Sequence, residues 1–120
     1  MPSRDFADRI RDMLSEIMEI QQFVAGTSFE QFCQDRRTLK AVLYGLAVIG
    51  EATAKILPEV ETSHPKIPWI DIRGMRNIAI HEYFQLDLEI IWTTVQDDLP
   101  TLKIVLDDIL RDAQEDNVDS

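Results

Sequence analysis

The sequence predicts an all-α fold, an up-and-down bundle of four main helices with the last one divided near Pro100, and three observations carry that prediction. Apolar residues recur at steps of three and four along most of the chain, the mark of helices with one buried face. No stretch alternates with period two over a useful length. Only four Gly and five Pro punctuate 120 residues, so turns are few. That length and an apolar share of 45% suit one core in a single domain over residues 1–111, followed by an acidic, flexible tail over 112–120.

Taken in order, Phe6, Ile10, Met13, Leu14, Ile17, Ile20 and Val24 form one stripe, so a first helix is expected from Arg4 to about Val24. Gly26 suits its C-cap, and Ser28 followed by Gln31 reads as a capping box that starts a second helix. Asp35 to Arg37 is a polar turn or a continuation, and Leu39 to Leu57 is strongly apolar. Gly45, Ala47, Gly50, Ala52 and Ala54 would let another helix approach closely. Pro58 is expected to end this helix, leaving residues 59–66 as a loop with Pro65 and Pro68. Pro68 then opens a helix anchored by Trp69, Ile70 and Ile72. Gln85 and Leu86 break that helix, and Asp87 caps the next, which carries Leu88, Ile91, Trp92 and Val95. A mid-helix proline loses a hydrogen bond, so Pro100 should kink or divide it before Leu102, Val105, Leu106, Ile109 and Leu110.

The segment from Ile72 to Phe84 is the anomaly. It places Arg73, Arg76, Asn77, His81 and Tyr83 inside a run that composition alone assigns to core. On a helix at about 100° per residue, Arg73, Asn77 and His81 share a row, whereas Arg76 and His81 stand roughly 140° apart. The two side chains therefore flank a groove, which implies a site completed by another surface. Arg supplies a permanently charged fork for phosphate, and His is the side chain best suited to move protons near neutrality. RNA brings its own nucleophile in the 2′-OH, so cleavage needs only an acid or base, a cation and positioning. A wet helical face would use the same residue types. Glu51 interrupts an apolar run and is expected to meet Arg73 or Arg76 and orient it, with a solvated face as the alternative.

Net charge is −10, which taken whole opposes non-specific binding to a phosphate backbone. Its distribution is uneven: residues 1–30 sum to −3, 31–76 to +2 and 77–120 to −9, so the only positive third ends on the motif. Arg36, Arg37, Lys40 and Lys66 could admit RNA locally or simply be solvated. The acidic half would suit a basic partner. Cys33 is the single cysteine, which excludes an intrachain disulfide, and His64 and His81 lack the ligand spacing of a metal site. With no long apolar run and no basic-then-apolar amino terminus, the chain is expected to be soluble and cytoplasmic, away from membranes.

Arg76-x4-His81-x-Tyr83 resembles the signature of the HepT toxins, members of the HEPN superfamily of small helical proteins. The likeness extends to Ile49 through Ala52, to Pro68 and Trp69, to Asp87 through Trp92, and to Asp98 through Leu102, covering most of residues 4–110. The resemblance implies a homodimeric, metal-independent ribonuclease without cofactor, with Arg76 and His81 as its catalytic pair and Asn77 beside them. It further implies a type VII-like toxin–antitoxin system. There a minimal nucleotidyltransferase antitoxin of the MntA type transfers AMP to Tyr83, and higher hetero-oligomers with that antitoxin can form. The competing expectation is a non-catalytic helical module that docks a nucleotidyltransferase.

Overall fold

The computed structural model describes residues 4–81 and 85–119, with side chains over 5–81 and 85–114. Among these residues there is no strand. The chain runs as α1 (Arg4–Val24), α2 (Phe29–Gln34), α3 (Arg36–Ser63), α4 (Trp69–His81), α5 (Leu88–Thr93), a π-helical turn (Thr94–Asp98) and α6 (Leu99–Asp119). These elements pack into an elongated body of 51 × 27 × 22 Å.

The expected stripe becomes the core face of α1: Ile10, Met13, Ile17 and Ile20 are fully buried. Gly26 takes φ 74° after α1, the left-handed geometry that a side chain disfavours. Ser28 and Gln31 form the reciprocal capping box that opens α2. Asp35 breaks the chain between α2 and α3 and caps α3, its carboxylate accepting from the Thr38 hydroxyl at 2.6 Å and the Thr38 amide at 3.1 Å. Those hydrogen bonds, the hydroxyl first, hold the Asp35 carboxyl below its usual pKa. Phe29 and Phe32 of α2 stack obliquely on Trp92, with ring centroids 6.0 and 5.2 Å apart, and so tie α2 to α5.

Helix α3 is the axis of the fold, packed on α1 along one side and α4 along another. Its length and hydropathy would suffice to cross a membrane, contrary to the expectation of no such run, but half of its most apolar window is buried inside the bundle as core. Pro58 does not end it. The helix continues to Ser63 because Ile56 and Val60 on either side of the proline are buried. That burial offsets the hydrogen bond lost at Pro58, a cost of about 3 kcal/mol or more in a free helix. The expected loop shrinks to residues 64–68. There the Trp69 indole N–H donates to the His64 carbonyl at 2.8 Å, clamping the turn, and His64 Nδ1 lies 2.8 Å from Ser63 Oγ.

The last helix, expected to be divided near Pro100, instead stays helical from Leu88 to Asp119 and is interrupted only by a π-helical turn just before Pro100. The Leu99 amide reaches back five residues to the Thr94 carbonyl, making a wide turn, and Pro100 falls in the first turn of α6 where a missing N–H costs little. Leu102, Leu106 and Ile109 are buried as their spacing predicted. Helix α6 runs past Asp112 to Asp119 and Ala113 is buried, so Arg111 is not a helix end.

Candidate active site

Helix α4 carries the motif, and two neighbouring residues of α3 seat it. At Gly50 an added Cβ would lie 2.9 Å from the Arg73 carbonyl oxygen and 2.9 Å from the Arg76 amide, so the backbones of α3 and α4 touch there. Only glycine permits that approach. The next residue, Glu51, places Oε2 2.8 Å from Arg76 Nε. One residue thus sets how near the helix comes, and its neighbour sets where the guanidinium points.

Of the two arginines expected beside Glu51, the contact falls on Arg76. Arg73 is exposed and has no ion-pair partner among the described residues. The Arg76 and Glu51 side chains are about half exposed, 49% and 53%, so their attraction is screened and adds little to stability. Its effect is directional. With Nε taken by the carboxylate, the far edge of the guanidinium keeps its donors for an oxyanion.

Arg73, Asn77 and His81 are all exposed on the one helix, and His81 is its last residue. The side chains of Asn77 and His81 have no hydrogen-bond partner among the described residues. Tyr83 lies outside the described residues. Ile70 corrects the sequence reading: it is 53% exposed and anchors nothing, whereas Trp69 is buried and Ile72 partly so. The four residues Ile70, Gly74, Asn77 and His81 follow at steps of four, three and four, which draws one open seam along α4. A Cβ at Gly74 would meet nothing within 4 Å. The importance of Gly74 escaped the sequence reading, although a glycine inside a helical pattern is itself the available signal.

No group of three or more His, Cys, Asp or Glu side chains able to hold a metal occurs among the described residues. What the surface offers is a helical ridge with an oriented guanidinium on one flank and an imidazole at its end. Such a ridge can hold a phosphodiester and move a proton.

The fold defines a class, a small all-α protein, here with an exposed Arg/His pair on one helix, and comparison with known proteins narrows it. The family model described as "HepT-like: Ribonuclease HepT-like" matches residues 13–109, and the chain belongs to that family, within the HEPN group of ribonucleases. Among curated relatives, "Probable ribonuclease HepT" of Thermococcus cleftensis is 38% identical over 100 residues, which cover 83% of this chain and 91% of the relative. "Putative RNase MJ0125" of Methanocaldococcus jannaschii is 34% identical over 115 residues, 96% of this chain and 99% of the relative. No solved structure matches.

Proposed function

We propose that the chain is a metal-independent endoribonuclease and the toxin of a toxin–antitoxin pair. The observation that carries this reading is the Glu51-paired guanidinium of Arg76 on the same helix as an exposed His81 whose side chain has no partner among the described residues, in a chain of a ribonuclease family. The 2′-oxygen of the substrate attacks phosphorus, the bond from phosphorus to the 5′-oxygen breaks, and a 2′,3′-cyclic phosphate remains. His81 takes or gives the proton that moves between the 2′-hydroxyl and the departing 5′-oxygen. Arg76 balances the charge gathered on the phosphoryl oxygens, and Asn77 positions the backbone. Arg73 adds charge along the approach, in the cytoplasm where RNA is available.

A homodimer completes the site. Arg76 and His81 diverge by roughly 140° around one helix, so a second α4 along the Ile70/Gly74/Asn77/His81 seam would supply the facing group. The antitoxin is a nucleotidyltransferase that moves AMP from ATP onto Tyr83. The phosphate charge and bulk added two residues from His81 would repel an incoming RNA backbone. Tyr83→Phe protein should therefore stay toxic beside the antitoxin; neutralisation by AMP transfer to this variant would place the acceptor elsewhere.

The net charge of −10 favours one other reading, a non-catalytic module that docks the nucleotidyltransferase. Cleavage of a defined RNA by purified wild-type and His81→Ala proteins separates the two. The ribonuclease reading requires cleavage by wild type and its loss in the variant at unchanged helical content. Equal cleavage by both proteins would remove His81 from the chemistry.

A further inference from the structure

A second surface lies on the flank of α4 turned away from Glu51. Between α4 and the start of α6 runs an open groove of about 400 Å³, floored by aliphatic side chains that include Ile72, Met75, Leu99 and Leu102. Among the described residues, the charged ones on its lining are Asp71, from the first turn of α4, and Asp98, the last residue of the π-helical turn. Neither carboxylate has a hydrogen-bond or ion-pair partner among the described residues. A shallower crevice adjoins it around Pro68 and shares Asp71, with Glu61 on its far side. The groove and the crevice share Ile67, Pro68 and Asp71, and among the described residues no Lys or Arg lines either.

We propose that this groove docks a cationic amphipathic segment of a partner protein. Its apolar side chains would sit on the aliphatic floor while Arg or Lys heads reach Asp71 and Asp98. Charge complementarity selects the occupant. A nucleic acid is repelled by the rim, and the chain's own acidic carboxyl end stays helical to Asp119. A segment with apolar and basic residues at helical spacing satisfies floor and rim together. The proposal does not rest on the ribonuclease reading, because the groove uses neither Arg76 nor His81.

The test titrates full-length protein with a fluorescent helical peptide of Leu and Arg at three- and four-residue spacing, against the same peptide with Glu replacing Arg. Asp71→Asn with Asp98→Asn should weaken the Arg peptide about tenfold. Thr101→Arg, which places a guanidinium on the groove's exposed rim, should weaken it similarly. Asp107→Asn with Asp108→Asn, which removes the same charge from the exposed face of α6, should change affinity less than about twofold. RNA cleavage by the groove variants should equal wild type. Equal loss in the Asp107/Asp108 variant would reduce the effect to diffuse acidity and overturn the proposal. So would equal binding of the Glu peptide, or a drop in native mass on Thr101→Arg, which would assign the groove to a second copy.

Discussion

At the scale of single residues, the pair formed by Glu51 and Arg76 separates stability from function. Half-exposed partners 2.8 Å apart gain little net energy, but the contact fixes a side chain that could otherwise sample many rotamers. Glu51→Gln should shift stability by less than about 1 kcal/mol in denaturant unfolding. It should lower kcat for RNA cleavage about tenfold while leaving KM nearly unchanged, since Arg76 remains charged but is aimed less well. An equal loss of stability and activity would make Glu51 structural rather than orienting. This contact was legible in the sequence because a carboxylate inside an apolar run needs a partner, and two arginines, Arg73 and Arg76, stood in the next helix. The choice of Arg76 was not legible, because it depends on the register in which α4 lies on α3, and Gly50 sets that register.

At the scale of elements, packing overrode local signals in both directions. Pro58 reads as a stop, yet the buried side chains of Ile56 and Val60 keep α3 intact through it. Pro100 reads as a break, yet the helix runs through with only a π-helical turn just before it, which keeps Val95 and Leu99 both in the core. Ile70 fits an apolar period but falls on the open side of α4. Caps were more legible, because Ser28 and Asp87 act through hydrogen bonds to their own neighbours; Asp35, read only as a polar turn or a continuation, caps α3 as well. The contact between α3 and α4 yields its own prediction. Gly50→Ala would set a Cβ against the backbone of Arg73 and Arg76, so α4 must move out. The expected cost is about 1–3 kcal/mol in chemical denaturation, with cleavage falling further than the unfolded fraction explains. A variant as stable and active as wild type would mean that the two helices do not touch there.

At the scale of the molecule, a strongly acidic chain keeps its motif helix open along one seam. Gly74 in the interior of α4 gains nothing from the fold around it, and in an isolated helix alanine would be favoured by about 1 kcal/mol. The cost is understandable if the backbone of a second copy lies against it. On the proposed homodimer, Gly74→Leu should leave the helical content and melting of the protomer intact while shifting sedimentation towards monomer and reducing cleavage. An unchanged dimer would move the pairing surface off α4. Composition and periodicity could indicate one helical body and a misplaced set of polar residues. They could not indicate which apolar side chains remain uncovered, since exposure is a property of the assembled bundle.

The most direct measurement is end-group analysis of a defined RNA incubated with unmodified wild-type and His81→Ala proteins in the presence of EDTA. Fragments ending in 2′,3′-cyclic phosphate from wild type alone are expected. Dependence on added metal, or fragments ending in a free 3′-hydroxyl, would contradict acid–base cleavage through the 2′-OH, and cleavage surviving in the variant would remove His81 from it.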